Sequence, residues 1–77
     1  LLNQRHAYDQ AIEVLTRGLA ARPRDPLLQN NLGMAYGGKG ELARAIECFE
    51  AALRLAPDYQ VARENLLKAR QMLESRR

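Results

Sequence analysis

Residues 8–23 read YDQAIEVLTRGLAARP, and residues 42–57 read LARAIECFEAALRLAP. The two stretches lie 34 residues apart and are identical at five aligned pairs: Ala11 and Ala45, Ile12 and Ile46, Glu13 and Glu47, Leu19 and Leu53, Pro23 and Pro57. A fixed period of this length is the signature of a chain built from stacked copies of one small unit. Stacked units create an extended binding surface by their geometry, and that surface requires no catalytic group.

The composition favours a small helical domain. The chain has 77 residues, of which 47% are hydrophobic but only 5% aromatic, and strands would call for more β-branched and aromatic residues. Charged residues make up 27% of the chain and the net charge is +3, but the two signs alternate along the sequence. A nucleic-acid module usually concentrates its basic residues on one face or arm, so we expect no nucleic-acid partner.

The sequence leaves the cellular location open. One cysteine cannot form an internal disulfide, so the fold does not depend on an oxidising compartment, and the cytoplasm is slightly favoured. No apolar run approaches the length of a membrane span, and no signal peptide is visible. The sequence begins without methionine, so we expect either a piece of a longer protein or a processed chain.

Apolar spacing predicts four helices, at residues 8–21, about 26–36, 41–55 and about 59–75. Residues 1–3 are expected to be the tail of a helix that begins earlier. Asp25 followed by Pro26 is a helix-start signal, and Asp58 is expected to cap the fourth helix in the same way. The second helix should end at Tyr36, because glycines follow at 37, 38 and 40. Short connections make consecutive helices antiparallel, so the predicted fold is an all-α array of helical hairpins.

Leu32-Gly33-x-x-Tyr36, Ala45-x-x-x-Phe49 and Pro57 together resemble the signature of the tetratricopeptide repeat. The resemblance implies a short right-handed α-solenoid. Residues 26–59 would be one complete repeat, and residues 1–25 would be part of a preceding repeat, mainly its second helix. Residues 60–77 would be a capping helix that closes the array, because Leu67 and Arg70 stand where the family has glycine and tyrosine.

The resemblance also implies a function, which is to bind a peptide or a partner's helix in a concave groove lined by the first helix of each hairpin. Asn31 and Asn65 lie one period apart, and their amides can both donate to and accept from a peptide backbone. The expected groove residues, by analogy with the family, are Leu27, Asn30, Asn31, Met34, Gly38, Val61, Asn65 and Lys68.

The enzyme interpretations are weak. Residues 33–40 come within one residue of a nucleotide-binding loop, but Gly40 replaces the hydroxyl residue that would hold Mg²⁺, and a helix precedes the motif. His6 has no neighbouring metal ligands and falls where the family has a turn glycine. Cys48 is expected to be a small packed side chain, because no base lies at a supporting spacing. We therefore expect no catalytic residue, cofactor or metal.

Self-assembly is the alternative function. The first hairpin lacks most of its inner helix, so part of its apolar face is expected to be uncovered and to associate with another copy. The candidate residues for this homo-oligomeric contact are Tyr8, Ile12, Leu15 and Leu19.

Overall fold

The computed structural model describes residues 4–76, which form four α-helices. These are α1 (Gln4–Ala21), α2 (Pro26–Lys39), α3 (Leu42–Leu55) and α4 (Gln60–Ser75). Each helix packs against the next along the chain, and α2 also contacts α4, so α3 lies behind the α2–α4 pair. The described part of the chain contains no strand. The predicted all-α class, with antiparallel hairpins stacked as in tetratricopeptide repeats, is confirmed.

The start of α2 is fixed by Asp25 and Pro26. The Asp25 carboxylate accepts hydrogen bonds from the backbone amides of Leu27 (2.9 Å) and Leu28 (3.3 Å). These amides have no partner inside the helix, and Pro26 presets the backbone of the first turn. The start of α4 is different, because its capping position is Tyr59 and carries no side-chain hydrogen bond to the helix. The prediction that Asp58 caps α4 is therefore wrong.

We expect Asp25→Ala to lower the free energy of unfolding by about 1 kcal/mol, because two backbone amides of α2 lose their acceptor. Asp58→Ala is the matched control, since it removes the same side chain from the corresponding loop without removing a cap. Urea denaturation followed by circular dichroism measures both. Equal losses for the two variants would contradict the assigned capping role.

Two helix boundaries also differ from the prediction. The helix α2 continues through Gly37 and Gly38 to Lys39, and it ends because Gly40 adopts the left-handed conformation (φ 91°). The backbone amides of Gly40 and Glu41 donate hydrogen bonds to the carbonyl oxygens of Gly37 and Tyr36. The last turn of α2 thus finds its hydrogen-bond partners at Gly40 and Glu41. The helix α1 begins at Gln4 instead of at residue 8, so His6 lies inside α1 and not in a turn. The predicted helix tail at residues 1–3 lies outside the described residues.

Small residues allow the helices to approach closely around one aromatic ring. The core cluster joins Ala45 and Phe49 of α3 to Leu66 and Ala69 of α4. Ala45, Ala52 and Ala62 are each completely buried, which places the helix backbones in close contact. Three partly buried side chains pack around this cluster: Tyr36, Ile46 and Leu53.

Charged side chains tie α1 to the turn between α2 and α3. The Lys39 ammonium lies 2.6 Å from the Asp9 carboxylate and 3.2 Å from that of Glu41. The hydrogen bond that Lys39 donates to Asp9, and secondly the one that it donates to Glu41, raise the pKa of Lys39. Because these side chains are all partly exposed, solvent screens the attraction, and α1 is held mainly by its apolar contacts with α2.

Candidate functional site

Four exposed apolar side chains define one stripe on α2 and one on α4. Among residues 4–76, seven large apolar side chains are exposed, and two of them, Met34 of α2 and Met72 of α4, line one cleft between these helices. Leu27 and Val61 precede them by seven and eleven residues, spacings that place each on the same stripe of its helix. We call the surface between these two stripes the α2–α4 groove.

A cleft of about 190 Å³ lies within the groove. Its floor is formed by Leu42 and Phe49 of α3, and its walls include Met34 and Met72. Gly33 also lines the cleft, and its missing side chain leaves room for the Phe49 ring beneath α2. The cleft therefore offers an apolar hole that a single side chain can enter from solvent.

One hydrogen bond joins the two walls. The Asn65 Nδ2 group of α4 donates to Asn30 Oδ1 of α2 at 3.1 Å, and Asn30 Nδ2 contacts the Met34 sulfur at 3.7 Å. Asn30 is only 2% exposed. Because few other contacts link α2 to α4, this buried amide pair helps to set the width of the groove. It also leaves Asn65 Oδ1 as the atom of that amide that can accept a hydrogen bond from a ligand.

The charge of the cleft comes from a single side chain. Lys68 is exposed and is the charged residue among those that line the cleft. The Asn65 amide lies one helical turn before it on α4. An apolar hole beside one ammonium group and one amide suits a ligand that carries an apolar side chain and a neighbouring carboxylate.

The period of 34 residues relates the floor of this cleft to two residues of α1. A shift of one period carries Leu42 onto Tyr8 and Phe49 onto Leu15, both of α1. The Tyr8 ring packs so closely on Gly38 of α2 that an added Cβ at Gly38 would overlap it. Gly38 thus contacts α1, whereas the α2–α4 cleft is lined by Gly37.

Comparison with known protein families matches the Tetratricopeptide repeat model to residues 26–59, the span of α2, α3 and the loop that follows. Residues 26–59 are a tetratricopeptide repeat. Repeats of this family generally mediate protein–protein interaction and are generally not catalytic. The predicted interaction function is thus confirmed as a general property of the family.

Two curated proteins resemble the chain over most of its length. The Caulobacter vibrioides protein FlbA is 39% identical over 69 residues, which is 90% of this chain and 12% of the relative. The Eremothecium gossypii peroxisomal targeting signal receptor is 32% identical over 59 residues, 77% of this chain and 10% of the relative. The chain thus spans about a tenth of the length of the curated relatives that it matches.

The predicted groove residues have different outcomes. Met34, Asn65 and Lys68 line the cleft. Leu27, Asn31 and Val61 stay predictions, placed by helical spacing on the stripes that border the groove. Asn30 is buried, so its predicted direct contact with a ligand is corrected to a contact with Asn65. Gly38 packs against Tyr8 instead of lining the cleft.

Sequence reasoning missed six lining residues: Gly33, Gly37, Leu42, Phe49, Ala69 and Met72. Phe49 entered the sequence analysis only as part of the repeat signature, although it also forms the floor of the cleft with Leu42. Met72 could have been found from the period, since it stands 34 residues after Gly38.

A second cavity, between α2 and α3, lies outside the groove and is lined in part by Tyr36, Arg44 and Cys48. The Arg44 guanidinium lies 5.7 Å from the centre of the Tyr36 ring. Burial, and secondly the Glu47 carboxylate, raise the pKa of the Cys48 thiol to about 11. The thiol is therefore protonated at neutral pH and is a poor nucleophile. Cys48 is buried as predicted.

The remaining chemical motifs are not arranged as sites. Residues 33–39 belong to α2, so the sequence that resembles a phosphate-binding loop is helical. No three potential metal ligands cluster within residues 4–76. Over the same range, no helix has the length and apolar character needed to cross a membrane.

Proposed function

We propose that the α2–α4 groove binds a peptide segment of a partner protein, which inserts one apolar side chain into the cleft. The observation that supports this most is the exposed apolar patch that Met34 and Met72 form at the cleft. Such patches on soluble domains usually mark interaction sites, because leaving apolar surface in water is unfavourable. The name of the Eremothecium gossypii relative, a targeting signal receptor, is in keeping with recognition of a short segment.

The groove residues suggest the chemistry of that segment. The thioether side chains of Met34 and Met72 are flexible, so the cleft walls can adapt to apolar side chains of different shapes. Asn65 Oδ1 can accept a backbone N–H of the segment, and Asn31 can both donate and accept. Lys68 would favour an acidic residue next to the apolar one, by an attraction that salt weakens. The proposed ligand is thus a peptide segment in which one apolar residue is followed by one or more acidic residues.

We expect the double substitution Asn31→Ala and Met34→Ala to weaken peptide binding by about tenfold or more, because central truncations in a binding site commonly cost above 1 kcal/mol. The probe is a fluorescent peptide with one leucine followed by aspartates in a glycine–serine background. Fluorescence anisotropy measures its affinity. Met34 is exposed and Asn31 is partly exposed, so the melting temperature should change little.

Leu67→Ala is the matched control for this experiment. Leu67 is 54% exposed and Met34 is 53% exposed, but Leu67 does not line the cleft. The control should bind the probe as the unmodified chain does. Equal weakening by Leu67→Ala, or unchanged binding by the double variant, would contradict the proposal.

Self-association through α1 is the second candidate. Among the described helices α1 packs against α2 alone, and the side chains of Tyr8, Ile12, Leu15 and Leu19 all remain partly exposed. These side chains are proposed to contact a second copy of the chain. Light scattering of the same variants separates the two functions. A monomer at high concentration would exclude self-association, and an oligomer dissolved by Asn31→Ala with Met34→Ala would make the groove the assembly surface.

A further inference from the structure

Both methionines of this chain line the cleft of the α2–α4 groove. The sequence contains two methionines, Met34 and Met72, and both line the same cleft from opposite walls. They are 53% and 52% exposed, so both thioethers are open to dissolved reagents. The arrangement places all of the thioether sulfur of the chain where a ligand would bind.

The other sulfur atom is protected. Cys48 is 8% exposed and lies on α3, away from the groove. Its thiol is kept protonated by burial, and hydroperoxides react with the thiolate form. A mild oxidant therefore meets two accessible thioethers before it meets a reactive thiol.

We propose that Met34 and Met72 are a reversible oxidation site, at which hydroperoxides switch off binding in the α2–α4 groove. The inference rests on the proposed function of that groove. In each reaction the thioether sulfur gives an electron pair to one peroxide oxygen, an S–O bond forms and the O–O bond breaks. The sulfur is oxidised and the peroxide is reduced. The transferred oxygen gives up its proton, and the departing oxygen takes up a proton and leaves as water from hydrogen peroxide or as an alcohol from an organic hydroperoxide. Methionine sulfoxide reductases reverse the change.

The structure indicates why the product would not bind an apolar side chain. A sulfoxide is polar, and burying it under an apolar residue without a hydrogen-bond partner is unfavourable. The Met34 sulfur already lies 3.7 Å from Asn30 Nδ2. A sulfoxide oxygen there would be a stronger acceptor for Asn30 Nδ2 and would hold the Met34 side chain against Asn30, while Asn30 Oδ1 still accepts from Asn65 Nδ2. Oxidation thus makes the lining of the cleft polar at Met72 and less adaptable at Met34.

The test treats the 77-residue chain with hydrogen peroxide and follows two quantities. Peptide mass spectrometry locates the added oxygen atoms, and fluorescence anisotropy measures the affinity for the leucine–aspartate peptide described above. Met34 and Met72 should gain oxygen before Cys48, and the peptide should bind about tenfold or more weakly, a change of ~1.4 kcal/mol. Methionine sulfoxide reductases for both sulfoxide epimers, supplied with a thiol reductant, should restore binding.

The control is the double variant Met34→Leu and Met72→Leu, which keeps side-chain volume and apolar character. Its affinity before peroxide serves as its own reference, and peroxide should leave that affinity unchanged. Oxidation of Cys48 first, or unchanged binding by the chain with both sulfoxides, would overturn the inference. Failure of the untreated chain to bind the peptide would instead contradict the proposed function, and the switch would be overturned with it. In that case only the order of oxidation would support a modification site.

Discussion

Replacement of Phe49 by alanine is expected to lower the free energy of unfolding by about 3–5 kcal/mol. The side chain is 4% exposed and lies between α2 and α4, where it belongs to the cluster with Ala45, Leu66 and Ala69. Its loss removes apolar contacts and leaves a cavity, because helices joined by two- to four-residue loops cannot collapse freely around the gap. It would also remove the floor of the cleft.

The size of this loss matters because the chain is short. At ~0.05–0.15 kcal/mol per residue, a domain of 77 residues has roughly 4–12 kcal/mol of stability in total. Phe49→Ala should therefore be partly unfolded at 25 °C or melt far below the unmodified chain, as measured by circular dichroism. Leu55→Ala is the control on the same helix, since Leu55 is 38% exposed and should cost much less. Similar melting temperatures for the two variants would contradict the assigned core.

Gly33→Ala is expected to destabilise the fold by about 1–3 kcal/mol, in spite of the better helix propensity of alanine. An added Cβ at Gly33 would lie 2.6 Å from Phe49 Cε1 and 2.8 Å from Cδ1. These atoms belong to a buried ring that is held on several sides, so the ring or the α2 backbone must move. The same movement would distort the cleft, and we expect weaker peptide binding at temperatures where the variant is folded.

Gly37→Ala is the matched control, because it makes the same change one turn later in α2. The nearest atom to its added Cβ is the Cβ of Ala45 at 3.8 Å, an ordinary contact. Without a clash, the propensity of alanine should raise stability by about 0.5–1 kcal/mol. The two variants should thus shift the urea midpoint in opposite directions. Shifts of the same sign would show that close approach to Phe49 does not govern Gly33.

The helices themselves were largely predictable from local signals. Asp25 and Pro26 start α2 by chemistry that acts within one turn, and the prolines at 23 and 57 follow the ends of α1 and α3. The end of α2 was not predictable in this way. Glycine lowers helix propensity by only about 1 kcal/mol, and packing against α1 and α3 outweighs that cost at residues 37 and 38. Only Gly40, which adopts positive φ, ends the helix.

The candidate site was also predictable from local signals only in part. The period and the spacing along α2 and α4 were enough to predict that Met34, Asn65 and Lys68 share one face. They did not predict that Asn30 turns away from solvent to bond Asn65, since that contact joins residues 35 positions apart. Spacing places a side chain on a face of its helix, but it does not say what the neighbouring helix presents there.

The sequence by itself determined that this protein is a helical repeat with residues 26–59 as a complete unit, because the period, the prolines and the apolar stripes act locally along the chain. Only the tertiary structure decided which small residues meet Phe49, which amide is buried, and that Met34 and Met72 face each other across one cleft. The physical reason is that close packing and hydrogen bonds between helices depend on distances of a few ångströms in space. A repeat period fixes the order of the helices but not those distances.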